Sequence, residues 1–121
     1  MRRTVQVSFT APEGQVVSGI KMLDVYPQNA VSLPAPPNLN ARIGGRQNNS
    51  IYIPNLGDDG LTMTVSRPAN LTQGNLYTIS FDECVGAPRP PISEFSCTVE
   101  ECGSSFGPVE GCECAISEPL P

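Results

Sequence analysis

Thirteen prolines are distributed along the whole 121-residue chain, and they limit its possible folds more than any other feature of the sequence. Each proline removes a backbone N–H donor and clashes with the preceding helical turn, so long α-helices are excluded. The residues between the prolines are rich in Val, Ile, Thr, Phe and Tyr, which pack well on a pleated sheet. The sequence therefore predicts an all-β protein with many turns.

Several segments alternate apolar and polar residues, which is typical of strands with one buried face. Val5, Val7 and Phe9 share one predicted face, and Tyr77 and Phe81 share another. Such strands, separated by turn residues, predict an antiparallel, immunoglobulin-like β-sandwich of about six or seven strands. The run 16–26 has apolar residues on both faces, which predicts either a bulge near its glycine or a strand buried on both sides.

The proline-rich stretch 86–93 divides the chain into two predicted parts. Residues 1–85 form the β-sandwich domain, and residues 86–121 form an irregular, acidic extension rich in proline and cysteine. Residues 1–81 carry six bases and four acids, whereas residues 82–121 carry one base and eight acids. An acidic third of this kind repels phosphates, so we expect no nucleic-acid partner. No apolar run is long enough for a transmembrane helix, so we expect no membrane insertion.

All the cysteines lie in the last 38 residues, which makes the extension the most unusual part of the sequence. Zinc is one interpretation, because Cys97, Cys102, Cys112 and Cys114 are able to supply four thiolates. Disulfides are preferred, because the extension has few large apolar residues to form a core. The open pairings join Cys84 to Cys97 or Cys102, and Cys112 or Cys114 to the remainder. Five cysteines leave one thiol unpaired, and no other cofactor is expected.

An enzyme is not expected, and no catalytic residue is assigned. The chain has no histidine, which removes the usual general base and every Ser/His or Cys/His arrangement. Carboxylates occur as neighbours at Asp58-Asp59, Asp82-Glu83 and Glu100-Glu101. Adjacent strand residues point to opposite faces, so these pairs do not converge as a glycosidase pair must.

Three stretches carry a resemblance to a known class of domain. They are Val5 to Pro12, Leu61 to Val65 and Tyr77 to Phe81, each with strand-like alternation. In style they resemble the immunoglobulin-like or fibronectin-like β-sandwich modules of phage head-decoration and tail accessory proteins. The resemblance implies a structural role and protein partners in a larger homo- or hetero-oligomeric assembly.

The leading hypothesis is a non-enzymatic structural component of a virion or surface assembly, a decoration, cement or accessory protein that docks through β edges, loops and the C-terminal tail. The basic start, Met1-Arg2-Arg3, is not followed by a continuous apolar stretch, so we expect synthesis in the host cytoplasm and final location in the virion. The first alternative is a secreted or cell-surface module that binds carbohydrate or protein through loops 44–50 and 55–60. The second is a zinc-stabilised interaction module.

Overall fold

The computed structural model describes residues 2–119. Met1 of the predicted β-sandwich domain and residues 120–121 of the predicted extension therefore lie outside it. The described chain is all-β, as predicted, and its helical turns are two short 3-10 segments, Asn38–Arg42 and Ile92–Glu94. Its strands are β1 (Arg2–Thr10), β2 (Gly19–Val25), β3 (Val31–Ser32), β4 (Ile43–Gly44), β5 (Ile51–Leu56), β6 (Leu61–Ser66), β7 (Gly74–Glu83), β8 (Ser96–Ser104), β9 (Gly107–Pro108) and β10 (Glu113–Ser117). No helix in this part of the chain is long and apolar enough to cross a membrane.

These strands form two antiparallel, five-stranded sheets within residues 2–119. The first has the order β10-β1-β7-β3, with β4 also paired to β7, and the second has the order β5-β6-β2-β8-β9. Both sheets contribute to one cluster of buried apolar side chains. The predicted alternation is confirmed in β1, where Val5, Val7 and Phe9 are buried, and in β7, where Tyr77 and Phe81 are buried.

The chain passes from one sheet to the other in a regular way, which explains its topology. Four segments each place one strand in each sheet: β4 with β5, β6 with β7, β1 with β2, and β8 with β10. We call each of these segments an arch. Neighbouring arches pair in both sheets at once, as β1 with β7 and β2 with β6. The arch made by β8 and β10 is therefore the last of the row, beside β2 and β1.

The C-terminal segment differs from the predicted irregular extension. β8 pairs with β2 along most of its length, and β10 pairs with β1, so both sheets contain strands from beyond residue 85. Only the irregular character was wrong, because β8 and β10 pair with strands more than 70 positions earlier in the chain and such pairing leaves no local signal. In the structure the cysteines lie on or beside regular strands.

The apolar residues on both faces of β2 have a different explanation from a bulge near Gly19. Ile20, Met22 and Asp24 point into the core, and the opposite face is half-buried or exposed. The register shift lies in the partner strand, because Lys21 pairs with Glu101 whereas Met22 pairs with Val99. Glu100 is thus an extra residue in β8, which is a β-bulge.

Candidate functional site

Two disulfides connect the two strands of the last arch, β8 and β10, or residues beside them. Cys97 in β8 bonds to Cys114 in β10, with their Cα atoms 6.0 Å apart, and Cys102 bonds to Cys112 just before β10, at 6.5 Å. Since β8 and β10 belong to different sheets, both bonds join one sheet to the other. Cys84 has no disulfide partner, which differs from the predicted pairings of Cys84 with Cys97 or Cys102.

The bulge at Glu100 brings the two bonded cysteines of β8 onto one face. Cys97 and Cys102 are five positions apart, so a regular strand with a period of two would place them on opposite faces. The extra residue restores the same face, as the half-buried state of both cysteines beside exposed Glu100 and Glu101 shows. Their partners are two positions apart and share a face without any irregularity.

The four cysteines predicted as zinc ligands are the same four that form these disulfides. Within residues 2–119 no group of three or more metal-ligating side chains is arranged to hold an ion. A disulfide sulfur is not a thiolate, so zinc at this place would require the reduced chain. The zinc site stays a prediction that metal analysis tests.

A polar groove lies at the end of the molecule formed by the loop after β4 and the turn after β6. Its volume is 450 Å³. We call it the arginine groove, and its lining residues are Arg46, Gln47, Asn48, Arg67, Thr72, Gln73 and Asn75. The lining contains two guanidinium groups and no carboxylate, whereas the chain as a whole has a net charge of -5.

Gln47 holds the two sides of the arginine groove together. Its side-chain Nε2 donates to the backbone oxygens of Thr72 at 2.7 Å and Asn75 at 3.3 Å, and its Oε1 accepts from the Thr72 backbone N–H at 2.9 Å. Its own backbone N–H donates to the Tyr52 hydroxyl, which in turn donates to the oxygen of Leu76 at 2.8 Å. These bonds fix the loop after β4 against the edge of β7.

The two arginines are held at the groove without acidic partners. Arg46 donates to the backbone oxygens of Ile43 at 3.2 Å and Asn40 at 2.9 Å, and its guanidinium lies 5.6 Å from the centre of the Tyr52 ring. Arg67 donates to the Asn70 oxygen at 3.2 Å, and its Nε is buried without an acceptor. Ion pairs in residues 2–119 involve other bases, namely Arg2, Arg3, Lys21 and Arg42.

The positive charges of the groove affect the pKa of the Tyr52 hydroxyl. Burial raises the pKa of Tyr52 above its usual value. The hydrogen bond from Gln47 and the charges of Arg46 and Arg67 act in the opposite direction. Both guanidinium groups therefore act on the same point beneath the groove.

A second groove, on the outer face of the sheet with the order β5-β6-β2-β8-β9, is a weaker candidate for a binding site. Its volume is 370 Å³, and its lining is mainly apolar. The charged residues there are Lys21 and Glu101, whose Nζ and Oε2 atoms lie 3.6 Å apart, so their charges offset each other. This surface presents no set of polar groups that converge on one ligand.

The two loops predicted as one contact face lie apart. Residues 44–50 contribute to the arginine groove, whereas residues 55–60 form the turn at the other end of β5. A six-residue strand is roughly 20 Å long. The arginine groove is therefore the candidate site, and the second loop does not contribute to it.

Within residues 2–119, one carboxyl with a strongly altered pKa is far from solvent. Asp24 is 1% exposed, and it accepts a hydrogen bond from the hydroxyl of Tyr77 between the two sheets. Burial raises its pKa from 3.8 to about 7, against the smaller opposite effect of that hydrogen bond. A group enclosed in the core has no access to a substrate, so we assign it to stability.

Comparisons with models of known families, with curated protein sequences and with solved structures find no match for this chain. Its site is therefore interpreted from its own geometry.

Proposed function

We propose that the chain is a non-enzymatic binding domain of an assembly exposed to an oxidising medium, such as a virion surface or a cell surface. The observation that carries this proposal is the pair of disulfides between the two sheets. The reducing cytosol keeps thiols free, whereas disulfides persist in secreted proteins and on the surfaces of particles and cells. A virion component made in the cytoplasm meets this condition after release.

The last arch shows why a surface protein of this size benefits from these bonds. The side chains that β8 and β10 turn towards each other are small or only half-buried, as with Val99 and Ile116. Burial of apolar surface between β8 and β10 is therefore limited, and the two disulfides compensate for this small apolar contact. The result is a small domain that keeps its shape in a dilute and variable environment.

The predicted sandwich architecture belongs to the same proposal. Two facing sheets with one shared core support it. The strand order is a point of difference from immunoglobulin domains, in which the first two strands share a sheet. Here β1 and β2 lie in different sheets.

Docking through loops is favoured over docking through the edge of β5. Gly57 donates to the oxygen of Gly60 at 2.9 Å, and the alternation of antiparallel pairs then makes Pro54 and Met63 a pair without mutual hydrogen bonds. The nitrogen of Pro54 consequently faces the open edge, where it has no hydrogen to donate. Proline at such a position blocks the addition of another strand.

A non-enzymatic role fits the chemistry of the candidate site. The chain contains no histidine, and the arginine groove supplies hydrogen-bond donors but no general base. Donors without a base or nucleophile are suited to holding a ligand.

Fractionation of the native producer tests the proposal. Thiols are blocked with iodoacetamide at lysis, and the chain is located by immunoblotting in cytosol, particles, envelope and medium. We expect it with particles, at the surface or in the medium, with Cys97 linked to Cys114 and Cys102 linked to Cys112 in peptide maps. A monomer confined to the cytosol with all five cysteines alkylated would refute the proposal.

The same sample decides the zinc alternative. Two disulfides lower the intact mass by four hydrogens, and only Cys84 reacts with iodoacetamide. A zinc module instead shows alkylated cysteines and no disulfide in this sample, and one bound zinc in a matched sample that received no iodoacetamide.

A further inference from the structure

We propose that the arginine groove binds the anionic group, carboxylate or sulfate, of an acidic saccharide. This inference rests on the proposed binding function and names the ligand class of its site. The two guanidinium groups of Arg46 and Arg67 line one groove of 450 Å³, which is within the usual range of small-ligand sites, roughly 300–1,000 Å³. An anion there would supply the acidic partner that the described chain does not.

The groove retains donors that the fold does not use. Arg46 employs Nε and Nη2 in backbone hydrogen bonds, which leaves Nη1 available. Arg67 employs Nη1, which leaves Nη2 available. Guanidinium groups bind planar carboxylates and sulfate oxygens through strong, charge-assisted hydrogen bonds. Two such groups that line one groove favour an anion over a neutral ligand.

The remaining lining matches hydroxyl groups. Asn48, Thr72 and Asn75 line the groove, and their side chains make no hydrogen bond within the described chain. Amide and hydroxyl side chains both donate and accept, as do the hydroxyls of a sugar ring. An anion that carries neighbouring hydroxyls would satisfy the arginines and these groups together, which is the chemistry of an acidic saccharide.

The charge of the rest of the molecule disfavours a polyanion. Residues 82–121 carry eight acids and one base, and the net charge is -5. Nucleic acids bind mainly through many phosphate contacts to clustered Lys and Arg. Two arginines that line one open groove match a single anionic group better than a polyanion.

The groove is organised before any ligand arrives. Gln47 ties its two sides together through Thr72 and Asn75, and Arg46 is fixed by two backbone oxygens and the ring of Tyr52. The two sides of the groove and Arg46 therefore lose little conformational freedom on binding, which favours measurable affinity from a small contact area.

Asn48-Asn49-Ser50 is an Asn-X-Ser sequence that eukaryotic secretion can glycosylate, so the chain is exported to a bacterial periplasm. Isothermal titration calorimetry of this disulfide-bonded full chain tests the inference. The probes are an oligosaccharide that carries a single galacturonate, its methyl-esterified neutral form, an oligosaccharide that carries a single sulfate, and polyglutamate. We expect binding of one or both acidic saccharides, and no binding of the neutral ester. Equal binding of the ester, tighter binding of polyglutamate, or no binding of either acidic saccharide would overturn the inference.

Variants locate the site on the chain. Arg67→Gln and Asn48→Asp should each weaken binding roughly tenfold to hundredfold, since each removes or opposes a charge-assisted hydrogen bond. Arg89→Gln is the matched control, because Arg89 is exposed outside the groove, and its affinity should stay within about twofold of the parent. Asn48 makes no side-chain bond, so its variant should fold normally, which thermal unfolding checks. Equal losses in Arg89→Gln, or none in Asn48→Asp, would refute the assignment.

These results are separable from those of the proposed function. If the chain occurs on particles or in the medium with both disulfides but ignores every saccharide, the ligand class is wrong and the surface role stands. If it occurs reduced in the cytosol, the surface role fails whatever the calorimetry shows.

Discussion

Replacement of Asp24 by Asn tests whether a buried carboxyl controls the stability of this protein near neutral pH. Asp24 lies between Leu61 of β6 and Cys97 of β8 in the strand register, with its side chain in the core. Its Oδ2 accepts from Tyr77, and its Oδ1 has no partner. Burial therefore disfavours the charged form more than the single hydrogen bond supports it.

The contribution of Asp24 to the free energy of unfolding follows from its pKa values in the folded and unfolded chain. The folded value of about 7 exceeds the unfolded value of 3.8, so between these pH values the folded chain holds a proton that the unfolded chain has lost. The free energy of unfolding consequently falls as pH rises through this window, and it is highest, from this group, below the unfolded pKa. A shift of about three units corresponds to about 4 kcal/mol, of which about 2 kcal/mol is lost between pH 5 and pH 7.

Urea unfolding followed by far-ultraviolet circular dichroism from pH 5 to pH 8 measures this effect. The chain has no histidine, so few other groups titrate in the window. We expect the parent to lose stability as pH rises and Asp24→Asn to have a nearly constant value. In Tyr77→Phe the hydrogen bond that lowers the pKa of Asp24 is absent, so the decline should extend to higher pH. A parent curve that is flat over this range, or an Asn variant with the same slope, would refute the reasoning.

Three further sets of variants test the forces that hold the two sheets together. The double variant Cys97→Ala, Cys114→Ala should unfold at a free energy about 3 kcal/mol lower in urea, because that bond closes a loop with a sequence separation of 17. In Gly60→Ala the free energy of unfolding should fall by about 2 kcal/mol or more, since φ is +147° and the new Cβ meets a backbone oxygen of β2. In Gly14→Ala, where φ is +80° and the new Cβ meets open space, it should fall by about 1 kcal/mol. Arg3→Ala should lower the free energy of unfolding by about 3 kcal/mol, and with it the melting temperature, since the Arg3 side chain is 2% exposed and its apolar stem fills the core. Arg3→Met should restore most of this stability, because the Met side chain fills the same space.

The strands with strict alternation were predictable because burial of one face leaves a period of two in the sequence. Val5, Val7 and Phe9 illustrate this, and their buried positions confirm it. The bulge at Glu100 was not predictable, since it is defined by the pairing of β8 with β2, more than 70 positions earlier in the chain. Because the bulge decides which cysteines share a face, the sequence left the disulfide pairing open.

The candidate site was predictable only in part. The loop around Arg46 stands out in the sequence as polar and rich in glycine, and it does line the groove. Arg67 gives no such signal, since it follows a strand and precedes a proline. The two arginines come together because β5 and β6 form a hairpin, and Gln47 then bridges to the start of β7. Long-range pairing of this kind has no local signature.

The position of the first two strands within the row of arches bears on how the molecule is made. β1 and β2 are synthesised before the other described strands, yet each is flanked on both sides by strands that come later: β1 by β7 and β10, and β2 by β6 and β8. β2 therefore has unsatisfied backbone groups along two edges until β6 is complete at Ser66, and β1 until β7 is complete at Glu83, about two thirds of the way along the sequence. Assembly must wait for distant partners, which slows folding and exposes the nascent chain to aggregation. Truncation from the C-terminus should consequently be more damaging than its distance from the first strands suggests.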